Sequence, residues 1–446
     1  MRKKISLLLI TVLAVLALPL FAFGCTDRSN VLKIYNWGEY MDPEVYEAFE
    51  DWYYKETGET VKVKYKEFDT NESMYTEISV NKSDYDLVCP SEYMVERMKN
   101  ADLLKPLDKS IIDPQEDWYY DGLWDMINDS IDEGLVYTVP YVWGTFGIMY
   151  DAGKVERDGI DVSDFDSWQA MFDSKYKKKV LMKNSVRDAY SIAQLYNRRE
   201  LLSEATNGFT DYGSEQYHTE LKNIFTLPSE DSVMEKNIEE AYDTLVKQKS
   251  VLIRYEVDDG KDDMANSDSQ AVFGFFWSCD AGFAMDENNS LMYVVPKEGA
   301  NVWVDSFVIP KYARNEKAAN YFLKYLCTAT VDDEEDDFDG CLVAEKNMDW
   351  MGTSVAIKGA MEARKEALEE EAEEVLAYEA ALKEGSTDRD EEIEESLFFG
   401  SADGFIDMYL EMVFPPDYVL SRCEIMRDFG KFNFVLDGMW IDVKTA

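Results

Sequence analysis

From position 31 onward the apolar positions change period in a regular way. Residues 32–36 form a short apolar run of strand composition. Asp42 and Pro43 then open a helix, as cap and first residue, and Val45, Phe49, Trp52 and Tyr53 fall on one of its faces. Gly58 closes it. Residues 60–68 alternate as a second strand, residues 86–90 (DLVCP) form a third, and a helix follows over 92–99. This regular exchange of strand and helix predicts an α/β fold with a largely parallel sheet.

Further along, residues 137–151 (YTVPYVWGTFGIMYD) are apolar and nearly uncharged, which predicts a connector passing through the interior. A second α/β region runs from Ser167 through VLMKNSVRD to an apolar strand over 271–277, and residues 316–325 are helical. Residues 301–310 (NVWVDSFVIP) are β-branched, apolar and closed by proline, the mark of a buried strand. Strand side chains alternate between faces, so Trp303 and Asp305 share one face and Val304 takes the other. A π-face beside a carboxylate suits an organic cation. Trp37 and Glu39 repeat the spacing after the first strand, and Trp277 and Asp280 follow the run over 271–276. Acids occupy 90 of 446 positions, so such pairs also arise by chance, as after Trp118 and Trp440. Position singles out the three: they lie on or just after strands, where open α/β sheets place ligands. The chain is expected to leave one lobe near Trp143 and return near Trp303.

Composition and charge narrow the function. Residues 1–24 carry Arg2, Lys3 and Lys4 before an apolar run to Phe23, a signal peptide in form. The sequence Ala22-Phe23-Gly24-Cys25 resembles a bacterial lipoprotein cleavage site with Cys25 as the lipidated residue. Removing three positive charges takes the net charge from −45 to −48, which excludes nucleic acid as a partner and favours polycations. No later run is long and apolar enough to cross a membrane. The remaining cysteines, Cys89, Cys279, Cys327, Cys341 and Cys423, show no metal-binding spacing and read mainly as buried thiols. His218, the single histidine, lies in the polar context EQYHTE, so no histidine-based triad or metal site is expected, and no cofactor. Residues 331–340 hold seven acids in ten positions but lack the spaced calcium-loop pattern, and read as a solvated insertion. Residues 359–384 form a helix with Leu368, Ala372, Val375 and Leu376 on one face and Gly385 as its stop, within an acidic insertion over about 362–397. Paired acids beside aromatics also serve glycosidases, so a carbohydrate-active enzyme or a sugar-binding receptor stands as the alternative.

YNWGEY (35–40), DLVCPSEYMVERM (86–98), VPYVWGTFGIMYD (139–151), SVRD (185–188) and VWVDSFVIP (302–310) follow one another in an order that resembles the bacterial polyamine-binding proteins, the spermidine/putrescine receptors of ABC importers. FPPDYVLSRCEIMRDFG (414–430) is similar to the closing segment of that family. The resemblance spans most of 30–330 and again 414–446. It implies a two-lobed periplasmic-binding-protein fold of type II with the ligand cleft between lobes: 25–143 and 304–360 form one lobe, 144–303 and 361–446 the other. It also implies polyamine contacts at Trp37, Glu39, Tyr40, Ser91, Tyr93, Asp188, Trp277, Asp280, Trp303 and Asp305. Gly38, Ser185, Thr353 and Met426 depart from the family pattern and leave the preferred chain length open. Glu39, Asp188, Asp280 and Asp305 are expected to converge with no basic neighbour except Arg187, an ion-pair partner that orients Asp188. The expected protein is a monomeric, extracytoplasmic lipoprotein without enzymatic activity, lipid-anchored or periplasmic, that hands a polyamine to permease subunits.

Overall fold

The computed structural model describes residues 28–332, 338–386 and 389–446; Cys25, the leader and five of the seven acids in the run over 331–340 lie outside them. Strands β1 (Val31–Trp37), β2 (Lys62–Phe68), β3 (Leu87–Val88), β4 (Leu104–Lys105), β5 (Thr138–Asp151), β6 (Val180–Lys183), β7 (Leu252–Glu256), β8 (Phe273–Trp277), β9 (Leu291–Val294), β10 (Ala300–Pro310) and β11 (Cys423–Glu424) join in one sheet. Its order is β2-β1-β3-β10-β5-β8-β6-β7, with β4 and β11 against β10 and β9 against β5. Each end of the sheet is parallel: β1 pairs with β2 and β3, and β6 with β7 and β8. The middle is antiparallel, because β5 and β10 run against each other and against their outer neighbours β8 and β3. The expected largely parallel sheet is therefore corrected: two parallel halves are joined through two long antiparallel strands. The stretch over 137–151, expected to pass through the interior as a connector, does so as strand β5, buried along its whole length. Its first half pairs with β10 and its second with β8 and β9, so β5 and β10 carry the chain between the two lobes.

The helices that bear on packing and on the cleft are α1 (Pro43–Thr57), α2 (Asn71–Ser79), α3 (Glu92–Asn100), α4 (Val186–Asn197), α5 (Asp231–Gln248), α6 (Gly260–Ala265), α7 (Ser278–Glu287), α8 (Glu316–Thr328), α9 (Lys358–Lys383) and α10 (Asn433–Thr445). Helix α1 starts and stops where its sequence says it should: the Asp42 carboxylate accepts from the Glu44 N–H, and Gly58 takes the left-handed φ of 72°. Val45, Phe49 and Tyr53 are buried, with Phe49 packed edge-on against Phe322 of α8. In α9, Leu368, Ala372 and Val375 are buried, but Leu376 is 53 % exposed and belongs to the outer face. One residue of rotation, about 100°, carries it off the apolar stripe. None of the five described cysteines is in a disulfide; Cys89 and Cys327 are buried and the other three half-buried.

Candidate functional site

One deep cleft opens where the parallel halves face each other, and all ten residues singled out in the sequence line it. β1 ends at Trp37, and the turn after it puts Glu39 at a left-handed φ of 51°, a strained conformation for a residue with a Cβ. Trp37 leans on Phe68 with ring centroids 4.5 Å apart. Tyr40 follows, fully packed, and its hydroxyl donates to Asp305 Oδ2 at 2.9 Å. Ser91 caps α3 and is oriented by Asn71, whose Nδ2 donates to the Ser91 hydroxyl at 3.0 Å and whose Oδ1 accepts from the Ser91 N–H at 3.2 Å. Tyr93 lies in the first turn of α3 and donates to Glu72 at 3.2 Å.

From the other half come Asp188, in the first turn of α4, and Asp280, in the first turn of α7 just after Trp277. The opening turn of a helix, with its unpaired N–H groups, favours a carboxylate. Trp303 and Asp305 stand on β10 and share the cleft face, while Val304 is buried behind. The Trp303 indole N–H donates to Thr145 O at 3.0 Å. Its ring lies over Gly144, where a Cβ would come within 2.7 Å of the ring and 2.2 Å of Ser278 Oγ, so this position on β5 must be glycine. The register of β10 against β5 shifts between Asp305 and Ser306, a bulge beside the carboxylate.

Burial dominates the electrostatics. Asp305 is 5 % exposed, and its carboxyl is pushed from 3.8 up to about 7, mainly by desolvation and last by repulsion from Asp188; the hydroxyls of Ser91 and Tyr40 pull the other way. Its Oδ1 is buried with no hydrogen-bond partner. Asp188 is pushed up to about 6, again by burial, with Ser185 and Arg187 drawing it back. Glu92, unremarked in the sequence, lies buried behind them, accepts from the Val304 N–H at 3.1 Å, and is pushed up to about 8 by burial. Mutual repulsion of the carboxylates is thus a smaller effect than loss of water.

Two expectations about the basic residues are corrected. Arg187 makes no ion pair with Asp188. Its guanidinium stacks 4.6 Å from the Tyr93 ring and 3.9 Å from Phe429, and donates to Arg427 O at 2.9 Å. The two rings and a carbonyl, rather than the neighbouring carboxylate, hold it. Nor is Arg187 the only cation. Lys183, at the end of β6, lies between Glu256 and Asp280, and Lys261 on α6 is paired with both Glu39 and Asp258. Lys183 had a trace in the sequence, a lysine closing the apolar run VLMK. Lys261 sits in a polar stretch that carries no such trace. Gly38, Ser185, Thr353 and Met426, the four departures from the family pattern, all line the cleft.

Such a cleft, aromatic and with an excess of carboxylates, can hold an amine whose ammonium answers the acids and whose methylenes lie on the rings. Among the described residues, no group of acids, cysteines and histidine is arranged to hold a metal ion.

Residues 44–334 match the sequence profile of the family described as bacterial extracellular solute-binding protein. The chain is 30% identical over 320 residues to the spermidine/putrescine-binding periplasmic protein of Salmonella typhimurium, covering 70% of this chain and 76% of that one. It is 28% identical over 312 residues to the putrescine-binding periplasmic protein PotF of Escherichia coli, covering 67% and 74%. Among solved structures, the spermidine/putrescine ABC transporter substrate-binding protein PotD of Streptococcus pneumoniae superimposes with a TM-score of 0.58 at 25% identity, over 93% of this chain and 99% of that one.

Proposed function

Because the chain belongs to the bacterial extracellular solute-binding protein family, we propose that it is the receptor of an ABC importer and that its cleft closes on a polyamine. The observation that carries this reading is Asp305: a buried carboxylate with one oxygen unpartnered, beside Trp303 and opposite Asp188 across the cleft. Leaving a carboxylate oxygen dry and unpaired is costly unless a cation arrives to answer it. The relatives named above, which bind spermidine or putrescine by name, point to the same class of ligand.

In this reading Tyr40, Asp305, Trp303 and Asp188 hold one ammonium and its methylenes, while Trp37, Ser91 and Tyr93 wall the channel. Trp277, Asp280 and Glu39 complete the lining. The lobes divide where β5 and β10 cross, 25–143 and 304–360 against 144–303 and 361–446. The protein binds without transforming its ligand: His218, the sole histidine, does not line the cleft, and the acids there are flanked by hydroxyls and rings suited to holding charge. We place it outside the cytoplasmic membrane as a monomer, anchored through lipid on Cys25, where it hands ligand to permease subunits. Cys25→Ser should release it from the membrane fraction; unchanged retention would remove the anchor. The sugar-binding alternative is less supported, because neutral sugars ask for mixed donors and acceptors rather than clustered carboxylates. A thermal-shift panel decides: spermidine or putrescine at about 1 mM should raise the melting temperature while oligosaccharides do not. No shift with any polyamine would overturn the reading.

A further inference from the structure

The cleft wall built from β6 and β8 already holds an ammonium ion, and it is the protein's own. Lys183 is fully buried. Its Nζ lies 2.7 Å from Asp280 Oδ2 and 3.1 Å from Glu256 Oε1, and donates to Val257 O at 2.7 Å. It also stands 4.8 Å from the centroid of the Trp277 ring and 5.3 Å from that of Phe276. An ammonium seeks anionic and carbonyl oxygens with an aromatic face beside them; here two carboxylates and a carbonyl surround Nζ and two rings are in reach. That is the full set of contacts a site of this chemistry offers the end of an alkylamine. We propose that Lys183 occupies the Trp277–Asp280 subsite as a tethered ammonium and so fixes the length of amine the cleft accepts, favouring a diamine over a triamine. The inference rests on the polyamine reading above.

Three further observations support it. Burial pulls the Lys183 pKa down, but the charges of Asp280 and Glu256 outweigh that pull and raise it above its ordinary value, so the side chain is a cation at neutral pH. Lys261 repeats the device on the same half, just beyond β7, and reaches to Glu39 of the other half. Its Nζ pairs with Asp258 at 3.1 Å and with Glu39, 4.6 Å from the centroid of the Phe283 ring. Two of the four carboxylates expected to meet ligand, Glu39 and Asp280, are thus answered from within. The groups left are Asp305 and Asp188, with Glu72 beyond them accepting from Tyr93 and sharing the field of Arg187 with Asp188. A third ligand ammonium reaching toward Trp277 would meet Lys183 at like charge, with Asp280 already engaged.

Isothermal titration of the wild-type protein with putrescine and with spermidine reads the preference directly. The diamine should bind about tenfold tighter or more, the difference that one charge-assisted hydrogen bond makes. Lys183→Met keeps the bulk, removes the charge and frees Asp280, so the ratio should move toward spermidine by about tenfold or more. Wild-type protein that binds spermidine as well as putrescine overturns the inference, as does a Lys183→Met ratio equal to wild type. Lys183→Ala gives a second readout: added methylammonium should raise its melting temperature and leave that of wild type unchanged, and no such rescue counts against the inference. If the buried acids prevent both variants from folding, the wild-type ratio alone decides. Binding of neither amine removes the polyamine reading and this inference together; tight binding with the wrong ratio removes only the tethered ammonium.

Discussion

Asp305→Asn should weaken binding and, at neutral to alkaline pH, strengthen the empty protein. The carboxyl is raised from 3.8 to about 7 in the folded chain, chiefly by burial. About three pH units at about 1.4 kcal/mol each is about 4 kcal/mol of opposition to folding. The sign follows from which state holds the proton more tightly. Below about pH 4 the carboxyl is protonated in both states and there is no cost. Between pH 4 and 7 only the unfolded chain is ionised, so stability falls steadily as pH rises, and above 7 the whole cost is present. Asparagine keeps the shape, and its carbonyl can still accept from Tyr40, whose hydroxyl lies 2.9 Å from Oδ2. The empty variant should therefore melt higher than wild type at pH 8, with the gap shrinking toward pH 4. Binding moves in the opposite direction. A charge-assisted hydrogen bond contributes about 1.5–3 kcal/mol, so polyamine affinity should fall about ten- to a hundredfold. Calorimetric titration and melting curves at pH 5 and 8 measure both. A variant that binds like wild type, or whose empty form melts lower at pH 8, would make Asp305 a scaffold residue and refute the reasoning.

Other outcomes follow from the same site. Polyamine affinity should fall as pH drops through 7, by about tenfold at pH 6, because the ligand's amines stay charged while Asp305 must give up its proton; Asp188, pushed up to about 6, adds to the loss below that. Titrations from pH 8 to 5 that show constant affinity would contradict it. Trp303→Ala should lose both binding and about 3–5 kcal/mol of stability, since it removes a buried ring and the 3.0 Å bond to Thr145 O; chemical denaturation of the empty protein gives the second quantity. Gly144→Ala should displace that ring and Ser278, costing about 1–3 kcal/mol and weakening binding, measured by the same two assays.

Local elements were legible because their signals are local. Asp42, Pro43 and Gly58 bracket α1 through contacts within a turn, and the two-residue period of NVWVDSFVIP alone puts Trp303 and Asp305 on one face. The convergence of ten residues on one cleft was also foreseeable, through the resemblance in motif order. Sheet direction was not: β5 is covered on both faces and both edges, which erases the alternation that would mark a strand and its partners. Long-range pairing was hidden too. Lys183 and Asp280 are far apart in the chain, as are Lys261 and Glu39, and nothing in a lysine's immediate neighbours says which acid it will meet. The stacking of Arg187 on Tyr93 and Phe429 escaped for the same reason, so adjacency to Asp188 suggested a pairing that the fold does not make.

The strand that carries Asp305 also governs when a working cleft can come into being. Val308 pairs with Val88, Asp305 with Val142 and Ala300 with Cys423, so β10 draws on neighbours from near both ends of the chain. The backbone of Trp143 and Tyr141 is bonded in turn to Ser354 and Ala356. Contacts so distant in sequence close large loops, and chains dominated by them fold slowly. Until the segment around residue 423 has arrived, the far end of β10 lacks its partner. A nascent or truncated chain therefore lacks the β11 pairing of β10 and the cleft wall at Met426. Capture is a property of the finished molecule, and it switches on late.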